Sequence, residues 1–219
     1  MRLRPLVPGP SGEVRRVRPD LEVVARLVER GARVLDLGCG DGQLLAHLAA
    51  ELGCSGTGVD RDPESLLAAI RRGVPVVELD LDAQLGEFAD DSYDLVVVSQ
   101  TLQATRHPDR VLAEVARIAG LGVVSVPNFG LWKHRASLLT RGRMPVSVEL
   151  PHPWYDTPNI HLGTLADLED LFAAQRLVVR QRVLLDAHGR AARGLRARGP
   201  ANLMASAAVY LVATDPSLG

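Results

Sequence analysis

Lysine is almost missing from this chain: Lys133 is the only one among 25 basic residues, and 26 acids leave a net charge of −1. With no basic field, neither nucleic acid nor an anionic membrane surface is an expected partner. Cysteine is scarce too. Cys39 and Cys54 are too few for a disulfide framework, which points to a reducing cytoplasm. Neither has a C-x-x-C neighbour and the six histidines are scattered, so no metal-ligand spacing is present. No apolar run reaches the length of a membrane span. Residues 1–17 carry arginines but are broken by Pro5, Pro8, Gly9, Pro10 and Gly12. Lacking an apolar stretch and a small-residue cleavage site, this head reads as a flexible tail and not a secretion signal. Aromatics make up 4 % of the chain. Both tryptophans fall in one segment, 131–162. The 219 residues, 47 % hydrophobic and 23 % charged, suit one globular domain over 18–215.

The most informative stretch is Arg33-Val34-Leu35-Asp36-Leu37, an apolar run with one acid, as a buried parallel strand would have. It leads into Gly38-Cys39-Gly40-Asp41-Gly42, and residues 43–48 then take helical spacing. A strand, a glycine-rich turn and a helix in this order build a nucleotide pocket. Glycines let a ligand approach the backbone, and the turn and helix start offer unpaired N–H donors. A dinucleotide fingerprint, G-x-G-x-x-G, requires a small residue at 43, which is Gln. A nicotinamide-dependent oxidoreductase is therefore disfavoured. Beyond the turn, Thr57-Gly58-Val59-Asp60-Arg61-Asp62 ends a second strand in an acid where a ribose carboxylate is expected. An ionised carboxylate can hold both ribose hydroxyls. Asp62, before Pro63, is the better N-cap for the helix that follows.

The rest of the chain alternates strands and helices. A helix with Asp20 as its N-cap runs to a stop at Gly31, and another spans 63–72 before Gly73. Residues 74–82 read as a third strand running into a loop, and 95–98 as a buried fourth strand. Ligands in open parallel sheets lie beyond the carboxyl ends of the strands, so Ser99, Gln100 and Gln103 should point to the pocket. A helix over 109–119 and a fifth strand over 121–126 deliver Pro127-Asn128-Phe129-Gly130 to the same rim. Pro127-Asn128 reverses the Asn/Asp-Pro-Pro-aromatic order of nucleic-acid amino-methyltransferases and follows the wrong strand, so no base-flipping pocket is implied. The segment 131–162 also holds His134, His152 and His161. It is either a docking surface anchored by Trp154, Tyr155 and Met144 or a lid packing its aromatics on the rim. Thr164 and Asp167 have capping-box spacing for a helix to about 175. Strands follow at 178–185 and 207–213, separated by an Ala/Arg/Gly-rich loop at 187–199. The fold expected is α/β, a doubly wound, mostly parallel sheet with an antiparallel last strand.

D-x-G-x-G-x-G from Asp36 to Gly42 resembles motif I of the class I S-adenosylmethionine (SAM) methyltransferases. That resemblance implies seven strands in the order 3-2-1-4-5-7-6. A narrower likeness lies in Arg18-Pro19-Asp20-Leu21, Ser99-Gln100-Thr101-Leu102-Gln103-Ala104, Ser125-Val126-Pro127-Asn128-Phe129-Gly130, Gly142-Arg143-Met144-Pro145-Val146-Ser147 and Trp154-Tyr155-Asp156-Thr157-Pro158-Asn159-Ile160-His161-Leu162. Together these resemble the MetW family of methionine-biosynthesis proteins over roughly 18–186. The head and the Arg/Ala-rich segment depart from it. The resemblance implies a cytoplasmic partner and activator of homoserine O-acetyltransferase or succinyltransferase. It also implies SAM, or S-adenosylhomocysteine, held by Asp36, Gly38, Cys39, Gly40, Gly42, Asp60, Arg61, Asp80, Leu81, Ser99 and Gln100. In that scheme Asp36 orients the turn and the ligand's amino group, while Asp80 with Leu81 meets adenine; Asp82 rivals Asp80. An active methyltransferase on a small molecule is the alternative. Its base would come from His107, His134, His152, His161, Tyr155 or Asp156, none of which sits in a recognised catalytic string.

Overall fold

The computed structural model describes residues 18–148, 150–192 and 198–215. The expected tail over 1–17 and part of the 187–199 loop lie outside the described residues. Seven strands form one sheet in the order β3-β2-β1-β4-β5-β7-β6. They are β1 Arg33–Leu37, β2 Ser55–Asp60, β3 Val76–Glu78, β4 Leu95–Ser99, β5 Leu121–Pro127, β6 Leu177–Leu185 and β7 Ala207–Thr214. The first five pair in parallel, and β7 runs antiparallel between β5 and β6. Strand order reverses where β1 lies between β2 and β4, the switch point at which open α/β sheets take ligands.

Period-two alternation splits the core. Val34, Leu95, Val97, Val123 and Val209 pack under α1 Pro19–Ala25, α2 Gln43–Leu52 and α3 Pro63–Arg71. Leu35, Leu37, Val96, Val98 and Val124 pack on the other face under α4 Pro108–Ala119 and α6 Leu165–Ala174. Phe172 and Tyr210, both fully buried, meet edge-on there at 5.3 Å.

Several expectations needed correction. The first helix ends at Ala25, and separate turns carry the chain to Val28, well before Gly31. Its N-cap is Arg18; Pro19 opens the helix and Asp20 sits inside its first turn, bonded to Arg18 at 3.2 Å. The third strand pairs only over Val76–Glu78. Pro75 brings no N–H to the ladder, and the strand is an edge with a single neighbour. Two helices were not expected: α5 Trp132–Arg141 inside 131–162, and α7 Arg198–Met204, entered from the 187–199 loop. In α5 only His134 is buried, so the apolar periodicity that marks a helix is missing. In α7, Gly199-Pro200 reads as a breaker, yet proline is tolerated in a first helical turn. The capping box is present: Thr164 accepts from the Asp167 N–H and Asp167 accepts from the Thr164 N–H. Asp62 caps α3 by accepting from the Ser65 N–H at 3.0 Å.

Candidate functional site

The carboxyl ends of β1, β2 and β4 enclose a crevice in two lobes that meet at Gly38, Gln100 and Thr101. The larger lobe, about 530 Å³, is lined by Arg18, Asp36, Gly40, Gln43 and Ser99. The smaller, about 190 Å³, is lined by Asp60, Arg61, Asp80, Leu81 and Asp82. Of the eleven residues that the family resemblance implies for the ligand, all but Gly42 line one lobe or both.

Each glycine of the turn has a left-handed backbone, but for different reasons. A Cβ at Gly38 would overlap the Thr101 side chain, and one at Gly42 would press on Ala69 at 2.8 Å. A Cβ at Gly40 would meet nothing within 4 Å, so that position borders open space a ligand can use. Gly42 thus serves helix packing, behind the crevice.

The expected bare amides are mostly engaged. Gly38 and Cys39 donate to the Val59 carbonyl at 2.7 and 2.9 Å, Gly42 donates to Cys39, and Gly40 donates to Asp60 Oδ2 at 2.8 Å. Asp60 Oδ1 accepts from the amides of Arg61 at 2.8 Å and Asp62 at 3.0 Å. Three of its roughly four acceptor positions are filled, leaving room for one hydroxyl and not two. Asp60 therefore points at the turn and fixes it. Arg72 clamps the turn from the other side, with Nε on the Asp41 carbonyl at 2.8 Å and Nη2 on Asp41 Oδ2 at 2.6 Å.

Asp36 is the electrostatic centre of the larger lobe. It is 3 % exposed, and its carboxylate accepts no hydrogen bond among the described residues. Burial, reinforced by the charge on Asp60 and opposed by Arg18, pushes its pKa up to about 7. It therefore does not orient the turn by hydrogen bonding; Asp60 and Arg72 do. Burial, with Asp36 and Asp60 nearby, also pushes the Cys39 thiol up to about 12, which keeps it protonated and unreactive. Asp80 and Asp82 both line the smaller lobe and differ in how much of each carboxylate is already engaged. Asp82 accepts from the amides of Arg106 and His107 with both oxygens engaged, whereas Asp80 uses only Oδ1, on the Asp82 amide at 2.9 Å.

The β4 end is held in an unusual conformation. Gln100 has φ +56°, and its N–H donates to the Ser125 carbonyl at 3.0 Å and Oγ at 3.1 Å. Ser99 Oγ bonds Ser125 Oγ at 3.0 Å and so braces the wall. Gln103, expected at the crevice, lies behind it. None of the six candidate bases lines either lobe. His107 is the N-cap residue of α4, and His134 is buried against Phe129 with its Nε2 3.0 Å from Ser147 Oγ. Sequence reasoning left Arg18, Thr101 and Arg72 out of the site. The first two stand in the strings that carry the family resemblance. Arg72 sits at the end of a helix and has no sequence signal. Among the described residues no His/Cys/Asp/Glu group could hold a metal, and no helix is long and apolar enough to cross a membrane.

Fold and crevice together define the class: a class I methyltransferase-like α/β protein. It aligns with a SAM-dependent methyltransferase from Thermotoga maritima (TM-score 0.63, 18 % identity, 90 % of this chain and 88 % of that one). It aligns likewise with magnesium protoporphyrin IX methyltransferase from Synechocystis, solved with bound SAH (TM-score 0.61, 14 % identity, 90 % and 80 %). At such identities the likeness is one of fold. The model of the family described as "Methionine biosynthesis protein MetW" matches residues 18–212, and the chain belongs to that family. It is 35 % identical over 176 residues to the bifunctional methionine biosynthesis protein MetXA/MetW of Rhodopirellula baltica, covering 76 % of this chain and 28 % of that protein. Phosphatidylethanolamine N-methyltransferase of Cereibacter sphaeroides is 35 % identical over 51 % of this chain and 58 % of its own length. The chain thus spans between about a quarter and three fifths of these curated relatives.

Proposed function

We propose that the crevice binds SAM or S-adenosylhomocysteine, and that the protein is a SAM-binding partner that activates homoserine O-acetyltransferase or succinyltransferase in the cytoplasm. The observation that carries ligand binding is Asp36: a buried carboxylate with no hydrogen bond, opening onto a large cavity beside Gly40, suits an ammonium group. Asp60 would accept one ribose hydroxyl while holding the turn, Asp80 with Leu81 would meet the adenine edge, and Ser99 and Gln100 would wall the middle. When bound, SAM supplies an electrophilic methyl group on a sulfonium. None of the six candidate bases named from the sequence lines either lobe, which favours sensing over transfer.

The partner half of the reading rests on the relative in which MetXA and MetW are one polypeptide. Residues 18–215 act as the SAM-binding unit, and 131–162 is its docking insertion. Trp154 and Tyr155 stack edge-on at 5.8 Å and are 73 % and 75 % exposed. Neither lines a lobe of the crevice, and such exposed aromatics suit anchors for a second protein. Co-purification with homoserine O-acyltransferase, and its activity with and without this protein across a SAM titration, test the reading; an acyltransferase indifferent to both removes it.

The second reading, methyl transfer to a small molecule, draws on an open cavity of about 590 Å³ that shares Arg18 and Gln100 with the crevice and takes in His152 and His188. Transfer of tritiated methyl from SAM into a cell extract distinguishes it from the first.

A further inference from the structure

Behind the crevice lies a separate cavity of about 120 Å³ that shares no lining residue with the two lobes. It sits between the 3₁₀ turn Leu102–Ala104, the end of β5, the 131–162 insertion and α6. Leu102, Val126, Phe129, Leu150 and Leu171 make its wall predominantly apolar; Asp167 and His161 also line it, and so does Gln103, which borders the open cavity of about 590 Å³ as well.

Gln103 is held at both ends. Its Nε2 donates to the Gln100 carbonyl at 2.8 Å, which settles which end of the amide is oxygen, since a flipped amide would set two acceptors face to face. Its main-chain carbonyl accepts from the amides of both Ile160 and His161, at 2.9 and 3.0 Å. The side chain cannot swing to solvent without losing its bond to Gln100. Yet its Oε1 is buried and has no hydrogen-bond partner. A buried acceptor left unmatched is costly, and native structures rarely tolerate one without a reason.

We infer that this cavity binds a compact, uncharged, apolar molecule with a single N–H or O–H donor directed at Gln103 Oε1. Its size limits the occupant: an apolar protein cavity of about 150 Å³ holds a benzene ring, so this one takes a ring or branched chain of about five or six heavy atoms. No lysine or arginine lines the cavity, which argues against an anionic ligand, and its one carboxylate, Asp167, already accepts from the Thr164 N–H and hydroxyl through Oδ2 in the capping box of α6. This inference does not depend on whether the crevice takes SAM.

Pyrrole and furan are suitable probes, as five-membered rings of nearly equal size of which only pyrrole donates a hydrogen bond. Each is titrated into the ¹⁵N-labelled full chain and followed by amide shifts. Pyrrole is expected to move the amides of Leu102, Gly163 and Leu168 and to bind about 3–10-fold more tightly than furan, the worth of one neutral hydrogen bond. In Gln103→Met, which removes the acceptor at similar length, the two probes should bind equally. Leu171→Trp, which fills the cavity from α6, should exclude both and supports the site even if Gln103→Met does not fold. Equal affinities in the wild-type chain overturn the inference, as does no binding of either probe. So do a pyrrole preference that survives Gln103→Met and shifts centred on Gly38–Asp60.

Discussion

Replacing Asp36 by Asn should make the ligand-free protein more stable and a poorer SAM binder. The carboxyl has an unfolded value near 3.8 and a folded value of about 7. That difference of about three units corresponds to a cost of up to about 4 kcal/mol for keeping the ionised group in the empty crevice. The sign follows from proton counting. Between about pH 4 and pH 7 the folded chain holds a proton on Asp36 that the unfolded chain has released. Stability therefore falls as pH rises through that window and levels off above it. Asn keeps the shape and carries no charge, so Asp36→Asn should lack this slope. Urea unfolding of both proteins from pH 4 to pH 9 is the assay. The variant should lead by about 2–4 kcal/mol at pH 8, and the lead should vanish towards pH 4. Calorimetric titration should show the opposite ranking for SAM, with affinity falling about 10-fold or more on loss of a charge-assisted bond. Wild-type affinity should rise with pH through about 7 as the carboxylate ionises. A variant no more stable than wild type at pH 8, or a lead that does not change with pH, refutes the idea of an unmatched buried charge.

Asp60→Ala frees the Gly40, Arg61 and Asp62 amides together with the ribose contact, and should weaken SAM by about 1.5–3 kcal/mol in the same titration. Gly38→Ala drives a Cβ into Thr101 at φ +78° and should cost about 2 kcal/mol or more in urea unfolding. Gly40→Val faces open space but puts a β-branched residue at φ +54°, so it should cost about 1–3 kcal/mol in urea unfolding as well as ligand affinity, with the far-ultraviolet spectrum still that of a folded sheet. Asn128 is fully buried, donates to the carbonyls of Asn202 and Ala205 at 2.8 Å each, and accepts from Gly130 at 2.9 Å. Asn128→Ala orphans all three partners and should destabilise by about 3 kcal/mol or more, read as a lowered urea midpoint. Trp154→Ala should leave SAM affinity unchanged while loosening an acyltransferase complex by about 2 kcal/mol, measurable by surface plasmon resonance.

The parts of this molecule that follow from local rules could be read directly from the chain. The β1 turn, the acid at the end of β2, the β-branched β4 and the capping box at Thr164 each state their chemistry within a few neighbouring residues. Elements that depend on distant partners could not. Helix α5 buries little of its own surface and leaves no periodic trace. The clamp of Arg72 on Asp41 spans 31 residues of sequence. The role of Asp60 as a brace depends on how the turn folds back onto β2, so its acceptor positions were assigned to a ligand when most belong to the backbone. Asn128 shows the reverse case. Reading no base-flipping motif there leaves a structural residue, and it joins β5, α6 and α7.

The Phe129 N–H donates to the Gly163 carbonyl at 3.0 Å. That one bond brings the two feet of the long excursion after β5 side by side, so the intervening chain leaves the sheet and returns at nearly the same point. The exposed part of such a segment can change in length at little cost, because closing a longer loop costs little extra, while its inner side stays fixed by Leu150 against α6 and by the Ile160 and His161 amides on the Gln103 carbonyl. A short glycine-serine bridge from 129 to 163 should be enough to remove the segment.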